Sequence, residues 1–372
     1  MAKKVILSVG TKRGLFLMES GTRRAAWKVS GPFLKGWTVP YAIIDTRGTP
    51  RLHVSASHFA YGSTAYTADI AGKSFTAAKK LPEYPTLNRK AAQFVKKYGL
   101  PDPKHIWVIT PGHEKQKKVL FCGTSPAGLF RSDDGGTSWE PVTALNEHRT
   151  RKDWSPGAGG QALHSLQVDP EDPDRMYVAI SAAGAFRTED GGKKWTPINT
   201  AVAQYVGAPK ESEVGSCVHK LLVHPAKPGL LYQQNHVGVY RSENHGTTWQ
   251  RIDEGLPYDF GFGLAVHPTD PTACYVLPLE PQEYNFRATD GALNVYRSQG
   301  KGWRKLTKGL PRKNAYLSVL RQAMDSDHMN PCGVYFGTAG GTVFASADDG
   351  MSWSVAADYL PPIQSVTAAV VG

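Results

Sequence analysis

The chain has 372 residues and carries 43 Lys and Arg against 32 Asp and Glu, which gives a formal net charge of +11. Its four cysteines are far apart and contain no CxxC pair, so the sequence indicates neither a zinc knuckle nor a disulfide framework. The apolar stretch near the N-terminus is too short for a signal peptide, and no run approaches the length of a membrane span. These features predict a cytoplasmic protein without a membrane partner.

Residues 3–10 (KKVILSVG) form the first predicted strand of the chain, and 363–371 (IQSVTAAVV) form the last. The first segment is typical of a second strand that has no innermost strand before it. The last is typical of an innermost strand with no partners after it. Pairing the two segments would close a ring of sheets and leave no exposed edge.

A short turn recurs along the chain with the pattern Ser/Thr-x-Asp-x-Gly-x-x-Trp. We call it the repeated turn. Its clear copies contain Asp134, Asp190 and Asp348, and a fourth has Asn244 at that position. Weaker copies occupy 17–27, 66–75 and 297–303. The side chains at the first and third positions can hydrogen-bond the backbone of a hairpin, glycine permits a positive φ, and tryptophan can pack over the loop.

A basic insertion is predicted over 83–106, between the second and third repeats, and basic residues continue to 118. A basic surface can meet nucleic acid, anionic lipid or an acidic partner. The segment does not interleave Lys and Arg with aromatic residues at a regular spacing. We therefore do not expect nucleic-acid binding, and two interpretations stay open: a solubilising surface or a docking surface.

The segment 162–199 shows what surrounds each repeated turn. It contains four short predicted strands, and the repeated turn joins the third to the fourth. Four strands repeated seven times predict an all-β fold, a seven-bladed β-propeller in which each blade covers the faces of its neighbours. We expect residues 1–372 to form this single propeller.

The repeated turn resembles the Asp-box, or BNR, repeat of sialidases, sortilin-type receptors, xyloglucanases and photosystem II assembly factors. The whole chain is also similar to bacterial BNR-repeat proteins described as glycosyl-hydrolase-like. This resemblance implies that the repeated turns lie on the face opposite the ligand site. We therefore expect function at the other face, where loops enter the innermost strands and join the second strands to the third.

Comparison between repeats separates the histidines into two groups. His224 and His267 occupy the position of Asp169 in the turn after an innermost strand, and His245 lies in a repeated turn, so these three are expected to be structural. The second group is His164, His219 and His236. The first two hold matched positions on neighbouring innermost strands, and the third lies in a loop above them.

Three imidazoles converging on one mouth would suit a divalent metal such as zinc, with an open fourth position for catalysis. A metal-free acid/base or ligand site, and buried core histidines, are the alternatives. Other candidates at the same mouth are Glu280 or Asp259 as general base and Arg321 to orient an anionic group, unless one of these carboxylates neutralises Arg321. Candidate ligand-binding residues are Tyr41, Trp107, Phe262 and Asn235, and the loop 278–291 also offers Glu283, Tyr284 and Arg287.

Three functions are consistent with these patterns. The first is a hydrolase or lyase acting on a small, anionic molecule at the mouth. The second is a non-catalytic binding or assembly factor that docks through the basic insertion. The third is a glycosidase, as the resemblance implies, although the arginine cluster of sialidases is missing and TKRGLFL stands where an Arg-Ile-Pro segment would be. A xyloglucanase-like site would need paired aspartates from two propellers, and this chain is predicted to form a single propeller. The sequence leaves the oligomeric state open.

Overall fold

The computed structural model contains seven four-stranded antiparallel sheets, arranged as the blades of a propeller. It describes residues 3–98, 104–157, 159–204, 212–281 and 286–372. Blade one consists of β1 (Lys4–Thr11), β2 (Gly14–Gly21), β3 (Lys28–Phe33) and the last strand, β28 (Ile363–Val371). Blade two consists of β4 (Thr38–Asp45), β5 (Arg51–His58), β6 (Gly62–Asp69) and β7 (Thr76–Ala77).

The next three blades follow the same order from the axis outward. Blade three consists of β8 (His105–Pro111), β9 (Leu120–Ser125), β10 (Leu129–Ser132) and β11 (Glu140–Pro141). Blade four consists of β12 (Leu163–Val168), β13 (Met176–Ile180), β14 (Gly184–Thr188) and β15 (Thr196–Pro197). Blade five consists of β16 (Val218–Val223), β17 (Leu231–Asn235), β18 (Val239–Ser242) and β19 (Gln250–Arg251).

Blades six and seven complete the ring. Blade six consists of β20 (Gly261–Val266), β21 (Cys274–Pro278), β22 (Val295–Ser298) and β23 (Trp303–Leu306). Blade seven consists of β24 (Met324–Ser326), β25 (Val334–Gly337), β26 (Val343–Ser346) and β27 (Ser354–Ala357). The innermost strands contact one another in the order β4, β8, β12, β16, β20, β24, β28 and back to β4, so they surround a central channel.

The two ends of the chain close the ring, as the sequence predicts. β28 pairs with β1 from Lys4 opposite Val371 to Thr11 opposite Ile363. β1 is buried on both faces, with Val5, Leu7 and Val9 in one apolar cluster and Ile6 in another. A slip of one residue would exchange the side chains of the two faces and is therefore costly.

The helices within the described residues are few and short. They are α1 (Arg89–Tyr98), α2 (Thr143–Asn146) and the 3-10 turns Arg151–Asp153 and Thr289–Gly291. None in the described part of the chain could cross a membrane. α1 lies in the basic insertion, where the Asn88 amide donates hydrogen bonds of 2.8 and 2.9 Å to the carbonyls of Arg151 and Trp154. The insertion is thus attached to the segment before blade four, and its role as a docking surface stays a prediction.

The repeated turns of blades three, four, five and seven share two hydrogen bonds to the side-chain oxygen of their third residue, one from the Ser or Thr hydroxyl and one from the amide four residues on. In blade four, Oδ1 of Asp190 accepts hydrogen bonds from the backbone of Lys193 and Lys194 and from the Thr188 hydroxyl, at 2.8–3.0 Å. Thr188 in turn accepts from the Gly192 amide at 3.0 Å, where φ is +94°. The tryptophans that follow these four turns are 1–6 % exposed: Trp139, Trp195, Trp249 and Trp353.

The repeated turns lie at the end of the propeller where the innermost strands terminate. In blade four the amide of Gly191 donates to Asp174, in the turn that follows β12, at 2.9 Å. The turns that follow the innermost strands also contain His224 and His267, and their hydrogen bonds support the structural role predicted for both. His224 and His267 accept backbone hydrogen bonds through Nδ1, as Asp169 does through its carboxylate. The starts of the innermost strands therefore form the opposite face, which we call the mouth.

Candidate active site at the propeller mouth

Near the start of four innermost strands the pairing with the second strand is interrupted by a bulge. The residue left without a cross-strand partner is Trp107 in β8, His164 in β12 and His219 in β16, and the irregular stretch of β20 contains Phe262. A bulge bends its strand and re-aims the side chain of the extra residue. Four of the site residues predicted from the sequence thus lie in β-bulges, where the side-chain direction differs from that in a regular strand.

The buried imidazole of His219 makes a hydrogen bond that fixes its tautomer. Its Nδ1 lies 2.7 Å from the carbonyl oxygen of Gly261. A carbonyl only accepts, so Nδ1 carries the proton and Nε2 keeps a lone pair. Burial, with the nearby charge of Arg321, holds the pKa of His219 well below its usual value, so the ring is neutral near pH 7.

His219 and His236 form a cluster with Cys217, a residue absent from the sequence candidates. One ligand atom from each of the three lies within 4.8 Å of the other two. The rings of the two histidines are 5.6 Å apart, and the amide of His236 donates to the carbonyl of Cys217 at 2.9 Å. The signal in the sequence was a cysteine two residues before the histidine of a predicted innermost strand.

His164 is not a member of this cluster. Its ring is fully buried, with Nδ1 3.1 Å from the hydroxyl of Ser165 and the backbone of Val218 near the ring. Burial, with the charge of Arg321, lowers its pKa well below the usual value. Blade symmetry matches His164 with His219 along the chain, but the cluster of potential ligands contains Cys217 instead.

A cavity of about 360 Å³ opens beside Arg321. We call it the mouth pocket, and it is lined by Thr38, Pro40, Ser57, His105, Trp107, Gly159, Leu320, Arg321, Gln322 and Gln364. Trp107 is half-buried there, and its ring is stacked on that of His105 with centres 5.0 Å apart. The wall therefore combines a flat aromatic surface with amides, hydroxyls and one guanidinium, a composition typical of a small-molecule site.

Arg321 connects the mouth pocket with an aromatic cluster. Its Cζ lies 4.8 Å from the centre of the Phe262 ring, and that ring lies 4.7 Å from the ring of His219. Phe262 packs with Phe260 and Phe286 and does not line the mouth pocket, so its role as an apolar wall of the site stays a prediction. Burial lowers the pKa of Arg321, and its Nε has no hydrogen-bond partner within the described residues.

The two predicted general bases are held by other arginines. Glu280 pairs with Arg287 at 2.9 Å, and this hydrogen bond lowers the pKa of Glu280. Asp259 pairs with Arg251 at 2.9 Å. Among the described residues no carboxylate lies within ion-pair distance of Arg321, so neither Glu280 nor Asp259 neutralises it in this structure. Glu283 and Tyr284 lie outside the described residues.

The remaining two ligand-binding candidates lie away from the mouth pocket. Tyr41 is buried and lines a separate cavity of about 250 Å³ within the channel, together with Lys220 and Asp325. Asn235 is 1 % exposed and stands opposite Val218, and its side-chain amide has no partner among the described residues.

A group of aromatic side chains, two of them exposed and two half-buried, adjoins the mouth pocket, and we call it the aromatic shelf. It consists of Trp37, His58, Phe59 and Tyr61, with ring centres of His58 lying 4.6–5.1 Å from the other three. Phe59 is 99 % exposed and Tyr61 78 % exposed. Thr38 and Ser57, the chain neighbours of Trp37 and His58, line the mouth pocket. The sequence analysis missed the shelf, although the aromatic residues in SHFAYGS (57–63) were a visible signal.

Comparison with known proteins finds distant relatives among xyloglucanases, and no family model matches the sequence. A xyloglucanase from Paenibacillus is 26% identical over 151 residues, which are 38% of this chain and 14% of that protein. A xyloglucanase from Acetivibrio thermocellus is 23% identical over 265 residues, or 62% of this chain and 29% of that protein. The chain spans less than a third of the length of these relatives.

Solved structures show the same fold. The GH74 enzyme of Niastella koreensis superposes with a TM-score of 0.60 at 16% identity, covering 94% of this chain and 51% of that one. An ancestral GH74 enzyme gives a TM-score of 0.54 at 16% identity, covering 89% and 38%. The chain is a seven-bladed propeller similar to these enzymes. At this level of identity the likeness concerns the fold.

Proposed function

We propose that this protein is a hydrolase that acts on an acidic saccharide-type molecule bound in the mouth pocket. The observation that carries the proposal is the half-buried guanidinium of Arg321, which has no described carboxylate partner and borders the pocket beside Trp107. A cation taken out of water needs an anion or several acceptors. A substrate carboxylate or phosphate would supply both charge and acceptor oxygens.

The aromatic surfaces support a saccharide. The flat face of Trp107 can contact the C–H groups of a sugar ring, while the Gln322 and Gln364 amides and the Thr38 hydroxyl can bond to ring hydroxyls. The aromatic shelf extends this surface beyond the pocket and would contact further sugar units. The xyloglucanases to which the chain is similar act, by their names, on a carbohydrate.

A glycosidase with a carboxylate pair is the second candidate, because the curated relatives carry the name xyloglucanase. That reaction needs an acid and a base or nucleophile, about 5–5.5 Å or 6.5–9.5 Å apart. Glu280 is a weak candidate for the acid, since Arg287 binds it and lowers its pKa. We therefore favour a reaction in which water is activated near Arg321 by groups other than Glu280.

The test is a panel of matched oligosaccharides, neutral, uronate-bearing and phosphorylated, incubated with the full-length protein. We expect turnover of an acidic member and little of its neutral counterpart. Hydrolysis adds water, whereas a lyase acting on a uronate leaves an unsaturated product that absorbs in the ultraviolet. Binding without turnover of any member would favour the binding-factor alternative, and turnover of neutral glucans alone would contradict the role given to Arg321.

A further inference from the structure

We propose that Cys217, His219 and His236 bind a zinc-type divalent metal. None of the three lines the mouth pocket, but the ring of Phe262 contacts both His219 and the pocket residue Arg321. The three side chains come from one innermost strand, its entry segment and the loop that joins the next two strands, so the blade itself brings them together. A mixed thiolate and imidazole set favours zinc or cobalt over magnesium or calcium. The catalytic use of this metal rests on the proposed function, but its binding does not.

The tautomer of His219 is the first support for metal binding. Metal-ligating histidines almost always donate their second N–H to a carbonyl or carboxylate, which orients the ring. His219 does this through Nδ1 and the Gly261 carbonyl, at 2.7 Å. Its Nε2 lone pair is then available, in a ring that is 2 % exposed and packed between Phe260 and Phe262.

The burial of Cys217 sets the protonation of its thiol. Burial raises the pKa of this thiol, while the guanidinium of Arg321 and the backbone of Ala182 act in the opposite direction, so a metal would bind by displacing the thiol proton. A thiolate ligand offsets the repulsion that a divalent cation would meet beside Arg321. Three protein ligands leave a fourth position, and in catalytic zinc sites that position holds water or a substrate oxygen.

A second cluster in the same chain shows what distinguishes a metal site from a hydrogen-bond network. His267, Cys332 and Asp349 are as close together as the first three residues. Here Nδ1 of His267 accepts from the amide of Asp270 at 3.0 Å, so Nε2 carries the proton and donates to Asp349 at 3.2 Å. Both ring nitrogens are in use, and Asp349 also accepts from the amide of Cys332. This cluster has no free imidazole lone pair and provides a matched control.

The experiment measures metal content and the spectrum of a cobalt form. The full-length protein is stripped with a chelator, loaded with Zn²⁺ or Co²⁺, freed of excess metal and analysed by elemental analysis. We expect about one metal per chain, and with Co²⁺ a thiolate-to-metal charge-transfer band. Cys217→Ser should remove the band, and His219→Gln or His236→Gln should weaken binding at least roughly tenfold. Cys332→Ser and His267→Gln should leave stoichiometry and band unchanged.

Two results would overturn the proposal. One is a folded, stripped protein that retains no metal after loading. The other is equal loss of metal in the Cys332 and Cys217 variants, which would indicate a general effect on folding. Circular dichroism of each variant checks the fold, and the wild-type cobalt spectrum reports thiolate coordination even where a variant is unstable. Since none of these measurements uses a substrate, a negative saccharide panel leaves them valid.

Discussion

The guanidinium of Arg321, in blade seven, lies 4.8 Å above the ring of Phe262, in blade six, and the bulged start of β20 presents that ring to the mouth. A cation over an aromatic face gains about 0.5–2 kcal/mol. This gain falls short of what removing a guanidinium from water costs. The contact positions Arg321 without neutralising it, and the unbalanced charge is what an acidic ligand would meet.

Arg321→Met should therefore stabilise the ligand-free protein. The substitution removes a half-buried cation and keeps an unbranched apolar stem against Phe262. We expect the free energy of unfolding to rise by about 1–2 kcal/mol. Denaturant unfolding of the two proteins measures this. A loss of more than about 1 kcal/mol would show that Arg321 already has a strong structural partner.

Trp107→Ala should weaken saccharide binding by about 1–2 kcal/mol, because the flat face at the pocket wall is lost. Tyr61→Ala, on the aromatic shelf, should affect longer oligosaccharides and leave the binding of the shortest ligand unchanged. Calorimetric titration with a length series separates the two effects. Equal losses for all lengths in the Tyr61 variant would argue against a separate contact on the shelf.

Asp190→Ala should lower stability by about 1–2 kcal/mol, because three donors in the repeated turn of blade four lose their acceptor. Glu189→Ala, at the exposed neighbouring position, is the matched control. Activity per folded molecule should be unchanged in both variants. Selective loss of activity in Asp190→Ala at an unchanged melting temperature would place the functional site on the turn face.

His53 should make the fold sensitive to acid. Burial lowers its pKa to about 4, against about 6.5 in an unfolded chain. Between these values the unfolded chain takes up a proton that the native state does not, so stability is lost as the pH falls from about 6.5 towards 4. His53→Gln should reduce the drop between pH 7 and pH 5 by at most about 2 kcal/mol. The control variant His328→Gln, at an exposed position, should leave this drop in stability unchanged. An equal change in both variants would contradict the role of His53 in the acid sensitivity.

The repeat made the fold predictable, whereas the site was only partly so. Each repeated turn fixes one hairpin, so the number of turns gives the number of blades, and the two terminal segments that lack partners within a repeat predict the closure. The bulges at Trp107, His164 and His219 could not be located from spacing, because one extra residue changes the direction of a side chain without changing the pattern. The ion pairs could not be predicted from the sequence either: Glu280 and Asp259 each pair with an arginine that is near in the chain.

Symmetry between blades could not identify Cys217 as a potential ligand. It matches His164 with His219, but it says nothing of the residues two positions earlier, where blade five has Cys217 and blade four has Ala162. The cluster depends on that difference. The proposed metal site thus departs from the repeat at Cys217, a residue that the sequence analysis did not consider because no CxxC pair is present.

The central claim is that an acidic group of the substrate binds Arg321 at the mouth. The most direct measurement is kcat/KM for a matched acidic and neutral substrate pair, compared between wild type and Arg321→Gln, with Arg131→Gln on the turn face as control. We predict that Arg321→Gln lowers kcat/KM for the acidic substrate by about tenfold to a hundredfold, while the value for the neutral substrate and both values of the control stay near wild type. An unchanged preference for the acidic substrate in Arg321→Gln would contradict the account.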